Sequence, residues 1–417
     1  MSFSGNVTIG LALILFGTTP RLAQSALSHD EAMARAMAAD PILTARTSAR
    51  DADRARADQA RSRPNPELGL ELENAFGTGP FGGTGSSELT ADFSQRFELG
   101  GDRRARITEA TAAIEVADAT LSAAERALSE RVTQDFVALL GAEQRLKVAE
   151  SRVALTRRLL PTLRRRVEAG ASPPVDVLRG EVAVRLAEIE TTSAQATAAS
   201  ARRQLASNWR GDESDAAELS GTLDVPGGRP RSLADLAEAL ADHPRLKQWE
   251  SEVARRQAVI DQEKAERIPD VTVGAGVRQF QDTDDTAVVL SASLPLPLWN
   301  RNTGAIAAAR YKTAEAEAER DAVRLQLYRD LNTAYGAMNA ACDEARQLNR
   351  AVLPEAQRTL SSIEAGYDQG RFDALDLLEA STLVSETQSL YADRAVACGQ
   401  ARATVKALAG HDPWSRP

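Results

Sequence analysis

Residues 101–168 carry one helical pattern with no stop signal. At about 1.5 Å of rise per residue this run spans about 100 Å, which no compact domain accommodates. Along it, apolar residues recur at alternating spacings of four and three: Leu128, Val132, Leu139, Ala142, Leu146, Ala149, Val153 and Leu160. That is a coiled-coil seam, interrupted by Asp135 and Thr156, with a kink expected at Pro161. One such helix cannot cover its own seam, so the fold must be elongated and must supply partner helices.

The chain supplies them by repetition. Residues 303–368 form a second long helical run, with a seam at Leu327, Leu331, Ala334, Met338, Ala341, Ala345, Leu348 and Val352. Pro41 and Pro244 are 203 residues apart, as are Pro66 and Pro269; Gly170 and Gly370 are 200 apart, as are Asp176 and Asp376. Two equivalent halves, 26–209 and 231–409, follow from this register, joined by a Gly/Pro-rich linker at 210–230 and followed by a frayed tail at 410–417. Each half opens with a short helix, capped by Ser28 or Ser232 and interrupted at Asp40-Pro41 or His243-Pro244. Then come a β-hairpin (66–99 or 269–298), the long helix, a tight reversal and a return helix (175–209 or 374–408).

The hairpins alternate with period two. Leu68, Leu70 and Leu72 oppose Glu67, Glu71 and Glu73; Leu89, Ala91, Phe93, Phe97 and Leu99 share a face against Thr90, Asp92, Ser94, Arg96 and Glu98. In the second half Val271, Val273 and Val277 pair with Val288, Leu290, Ala292, Leu294 and Leu296. One face of each strand belongs in water and the other on a core or in lipid.

Composition narrows the function. The chain is 43% hydrophobic but 4% aromatic, which suits closely packed helices better than an enzyme core. Three histidines and two cysteines leave little for a metal or nucleophilic centre, and no Cys-x-x-Cys, His-x-x-His or phosphate loop occurs. No catalytic residue, resident metal or cofactor is expected. A net charge of −9, with arginines scattered among carboxylates, argues against nucleic acid. Residues 9–17 form an apolar run too short to span a bilayer; with Ala23-Gln24-Ser25 behind it, residues 1–25 read as a secretory signal peptide, although no Lys or Arg precedes the run.

Four strands cannot close a membrane barrel, which needs at least about eight, and an open sheet is not tolerated in hydrocarbon. Protomers must therefore pool strands. Three chains, giving twelve strands, leave a lumen where eight strands would be filled by side chains. A helical rod with a small sheet, or a periplasmic coiled-coil scaffold or adaptor, are the alternatives.

Several motifs resemble the TolC-type outer-membrane factors of tripartite efflux systems, within them the branch serving cobalt–zinc–cadmium pumps. They are Asn65-Pro66-Glu67-Leu68, residues 95–103 (QRFELGGDR), residues 294–302 (LPLPLWNRN), Tyr367-Asp368-Gln369-Gly370 and residues 375–379 (LDLLE). The resemblance implies a homotrimer of mixed α and β structure: a twelve-stranded outer-membrane β-barrel, four strands per chain, continued by a long α-helical periplasmic barrel. It implies a passive exit duct for metal cations or drugs, in contact with outer-membrane lipid, a periplasmic adaptor protein and an inner-membrane pump of the resistance-nodulation-division type. A channel for type I protein secretion shares the fold. The resemblance assigns adaptor docking to the tips, at Gly170, Ala171, Gly370 and Arg371. It assigns the pore constriction to Asp373, Asp376 and Glu379, where Asp376 and Glu379 share a helical face and three copies would form acidic rings. Arg179 stands where Glu379 does, so the second tip is the expected constriction. Cys342 and Cys398 lie 28 residues either side of Gly370, level in an antiparallel pair. A disulfide is expected, two buried thiols being the alternative.

Overall fold

The structure, a computed structural model, describes residues 26–415. The signal-peptide reading of residues 1–25 lies outside the described residues. Each half begins with a helix pair whose joint is a polar cap. Ser28 Oγ accepts from Glu31 N at the start of α1 (His29–Ala39), and Asp40 Oδ1 accepts from Ile42 N and Leu43 N at the start of α2 (Pro41–Ala60). Asp40 is buried and also takes an ion pair from Arg131, 2.9 Å away.

The strands follow the alternation. β1 (Glu67–Glu73) and β2 (Glu88–Phe97) precede α3 (Asp102–Glu168) and α4 (Val175–Ser207). In the second half α5 (Leu233–Glu238) and α6 (Pro244–Ala265) precede β3 (Val271–Phe280) and β4 (Thr286–Ser293). The four strands form one antiparallel sheet in the order β1-β2-β3-β4. Its register aligns Leu68 with Phe93, Ala275 and Leu290, and Leu70 with Ala91, Val277 and Val288. These rows leave one face apolar, and the chain does not cover it: Leu68, Leu70, Val288 and Leu290 are each 73–79% exposed. On the opposite face Arg278 bridges Glu73, Glu88 and Thr90 at 2.8–2.9 Å. β1 and β4 remain as open edges.

Below the sheet α3 packs against α2, α4, α6 and α9 (Ala374–Ala409). It stays helical through Pro161. On its seam Leu128, Val132, Leu139, Ala142 and Ala149 are buried. The two polar seam residues are satisfied: Asp135 accepts from the Asn208 amide at 2.7 Å, and Thr156 Oγ donates to Arg152 O at 2.9 Å.

The second long run departs from the simple pattern. It is helical as α7 (Thr303–Gln347), widens into a π turn at Leu348–Val352, and resumes as α8 (Leu353–Asp368). Pro354 lacks an N–H and its ring would clash with the carbonyl four residues earlier; the wider turn accommodates both defects. A π turn holds one extra residue, so the inward face advances by one. The seam Leu327, Leu331, Ala334, Met338, Ala341, Ala345 is buried, but Val352 is exposed and the face continues through Ala356 and Tyr367. Cys342 and Cys398 are joined by a disulfide with Cα atoms 4.7 Å apart, tying α7 to α9 on the sheet side of the π turn.

Two connecting segments are more ordered than their composition implies. In the linker, Leu27 N donates to Glu218 O and Ser220 N to Leu27 O, a short parallel bridge across the first half. The tail, expected to fray, is pinned through residue 415. Asp412 accepts from Arg402 at 2.6 and 2.8 Å, Arg402 lies over the Trp414 ring, and Arg231 N donates to Pro413 O.

His243 replaces Asp40 in the second half and caps α6 through Nδ1, which accepts from Arg245 N at 3.2 Å. Burial, then the charges of Arg126 and Arg245, push its pKa down from 6.5 to about 4. The folded protein therefore holds it neutral while the unfolded chain protonates below about 6.5. Stability from this site is complete above pH 6.5 and is lost as pH falls towards 4, by up to about 3 kcal/mol. His243→Asp, which restores the first half's cap, should flatten the drop in thermal midpoint between pH 7 and 4.5; an unchanged pH slope would assign the acid sensitivity elsewhere.

Candidate pore constriction at the helix reversals

Both long helices end by the same mechanism. At the first reversal Gly170 N donates to Val167 O (3.0 Å) and Ala171 N to Arg166 O (2.8 Å); at the second Gly370 N donates to Tyr367 O (3.0 Å) and Arg371 N to Gly366 O (2.8 Å). This bonding closes a helix only if the residue after the cap adopts a left-handed conformation, and Gly170 and Gly370 have φ of +68° and +73°. The four residues named for docking are therefore, in the first place, the chain's helix terminators.

After the second reversal Asp373 starts α9. Its carboxylate accepts from Leu375 N and Asp376 N at 2.8 and 2.9 Å, while Asp376 returns a bond by accepting from Asp373 N at 3.0 Å. Two of the three constriction candidates thus form a reciprocal cap that fixes the entry angle of α9. Glu379, one turn further, is exposed and has no ion-pair partner among the described residues. Asp376, Glu379 and Glu386 rim a groove of about 620 Å³ between α8 and α9, floored by Ile363, Leu375, Leu378 and Leu383.

The first tip is electrostatically different. Asp176 is buried and lies 3.4 Å from Arg179, which occupies the position equivalent to Glu379. The structure thus sets Asp376 and Glu379 on one groove at the second tip, with Asp373 capping Asp376, and an Asp176–Arg179 pair at the first. Among the described residues no cluster of His, Cys, Asp and Glu has metal-binding geometry. The three histidines have structural surroundings: His29 bonds Thr133 and meets the Phe136 ring edge-on, His243 caps α6, and His411 bonds Arg231.

Arg166, which no sequence motif includes, and Tyr367 of the Tyr367–Gly370 motif join the two tips. Arg166 near the end of α3 donates to Tyr367 O at 3.1 Å and lies over the Tyr367 ring, 4.6 Å from its centre. Tyr367 is buried with Leu163, Ala374 and Leu377 in a small core that closes the tip. Next to it, Phe372 lies so close over Gly366 that a Cβ there would sit 2.4 Å from the ring. Arg166 is one of the arginines scattered among carboxylates, the pattern of a solvated face, so only the fold reveals its partner.

A sheet with one exposed apolar face, continued on one side by helices of about 100 Å that end in paired reversals, defines a subunit of an outer-membrane channel with a periplasmic extension. A sequence profile described as outer membrane efflux protein matches residues 32–209 and again residues 236–411. The chain belongs to the outer membrane efflux protein family. It is similar to the cobalt-zinc-cadmium resistance protein CzcC of Cupriavidus metallidurans, 30% identical over 391 residues that cover 94% of this chain and 92% of that one. It is also similar to the nickel-cobalt-cadmium resistance protein NccC of Alcaligenes xylosoxydans xylosoxydans, 28% identical, covering 76% of this chain and 72% of the relative. Among solved structures, the outer membrane protein VceC of Vibrio cholerae superposes with a TM-score of 0.74 at 18% identity, covering 92% and 96% of the two chains.

Removing the Arg166 guanidinium (Arg166→Ala) should loosen the second tip by about 1–2 kcal/mol, read as roughly tenfold faster amide exchange at residues 367–376 with strand protection unchanged. Equal protection in both proteins would make the Arg166–Tyr367 contact incidental.

Proposed function

We propose that this chain is the outer-membrane duct of a tripartite system expelling divalent metal cations, working as a homotrimer without chemistry of its own. The observation that carries the metal assignment is the end-to-end similarity to a cobalt-zinc-cadmium resistance protein. An inner-membrane resistance-nodulation-division pump supplies the energy. A periplasmic adaptor meets the reversals at Gly170, Ala171, Gly370 and Arg371.

Trimerisation is supported at both ends of the molecule. The sheet has two unpaired edges, β1 and β4. Near the tip α4 exposes a stripe of Leu178, Val182, Leu186 and Ile189, each more than half accessible. The α8–α9 groove lies at the same heights above the reversals. Beside the stripe, Arg185 lies 15 residues past Gly170, and on the groove rim Glu386 lies 16 past Gly370. A neighbouring copy that covers the stripe with this groove buries both apolar surfaces and pairs these charges.

Asp376 and Glu379 then line the pore mouth, with Asp373 fixing Asp376 in place. Three copies of each concentrate cations in the narrowest part of the duct, where low-dielectric walls strengthen the field. In planar bilayers, Asp376→Asn with Glu379→Gln should weaken block by divalent cations at least severalfold; the asparagine can still accept the Asp373 N–H, so the cap survives. Unchanged block would remove these residues from the constriction. A strain lacking the gene should become sensitive to cobalt, zinc or cadmium, and wild-type tolerance of all three would contradict the substrate assignment.

A further inference from the structure

The lipid-facing pattern does not stop where the sheet does. β4 ends at Ser293, yet Leu294, Leu296 and Leu298 continue the alternation for three more steps, 49–68% exposed, and Trp299 follows at 93%. Pro295 and Pro297 remove the N–H groups that would extend the ladder, and the segment is held instead by Leu298 N donating to Leu296 O and by its far end. There Asn302 donates to the Glu263 carbonyl and carboxylate at 3.0 and 2.7 Å, fixing the segment beside the last turn of α6, which Arg267 and the exposed Ile268 follow in sequence.

Charge here runs against the rest of the chain. Residues 286–314 contain no Asp or Glu but include Arg301, Arg310 and Lys312, in a protein of net charge −9. Lys312 is engaged by Glu315 at 2.7 Å, whereas Arg301 and Arg267 are exposed with no ion pair among the described residues. Of the acids near Arg267, Glu263 is engaged by Asn302, Glu266 accepts from the Gln262 amide at 3.3 Å, Asp270 lies 3.5 Å from Arg96, and Glu98, which shares a pocket with Asp102, Glu266 and Asp270, is paired with Arg106. This end of the sheet carries the helices, so it faces the periplasm.

We infer that the 294–301 segment, with Arg267, is a seat for anionic phospholipid headgroups in the inner leaflet of the outer membrane. Leu294, Leu296 and Leu298 extend the hydrocarbon-facing surface, Trp299 lies at the level where an aromatic ring meets both chain and headgroup, and Arg301 and Arg267 bind the phosphate. A lipid surface is favoured over a protein partner because the apolar stretch is continuous with the lipid face of β4 and its charge is opposite to the lipid's. The inference rests on the strands lying in the membrane.

The test reconstitutes the full-length assembly into vesicles containing phosphatidylglycerol or phosphatidylcholine with brominated acyl chains, and measures the emission lost in Trp299→Phe. Brominated phosphatidylglycerol should quench Trp299 at least twofold more strongly at equal mole fraction, and Arg267→Gln with Arg301→Gln should abolish that preference. Equal quenching by both lipids, or none by either, as when protein covers the segment, overturns the inference. Leu290→Trp in the Trp299→Phe background separates the two levels: a quenched Leu290→Trp with a silent Trp299 rejects only the seat, whereas an unquenched Leu290→Trp rejects the membrane placement itself.

Discussion

Everything in this molecule follows from the unmet hydrogen bonds along β1 and β4. In hydrocarbon an unpaired backbone group costs several kcal/mol, so a four-stranded sheet with two free edges is not a finished structure. Its exposed leucines and valines cannot be hidden by the chain's own helices, which extend away from the sheet instead of folding across it. Closure has to come from other copies. The same logic continues down the helices, where the stripe on α4 and the groove between α8 and α9 leave apolar surface at matching heights on different parts of the protomer.

The two halves share a plan but diverge in their long helices and at their tips. α3 runs unbroken through Pro161, whereas its counterpart is divided by a π turn at Leu348–Val352 and bolted to α9 by the Cys342–Cys398 disulfide. Asp176 is offset by Arg179, whereas Asp376, Glu379 and Glu386 face one groove. The second hairpin thus combines a change of helical register with a groove rimmed by carboxylates. Arg166 and Tyr367 couple the two hairpins, so the tip of the second hairpin is positioned by the end of the first.

The repeat, the strands and their apolar face were legible because alternation and proline spacing are local signals that tertiary contacts do not rewrite. The coiled-coil seam was legible as far as Ala345. Beyond it a strict four-three count placed Val352 inward, where the π turn turns it out; Pro354, two residues on, was the available signal. The aspartates at the second tip were read for their charge alone. Asp373 and Asp376 stand three apart before an apolar run, which is also the spacing of a reciprocal helix cap, and that role is met first. Arg166 and Tyr367 could not be paired from sequence because 201 residues separate them and no periodicity links the tips. The tail reads as polar and short, but Asp412 and Trp414 both find Arg402, a contact that composition does not encode.

The central claim is that one chain supplies a third of a barrel. The mass of the detergent-solubilised assembly, measured by light scattering with the detergent contribution subtracted, tests it most directly. The account predicts three chains per particle; a monomer soluble without detergent, or a particle of two chains, would contradict it.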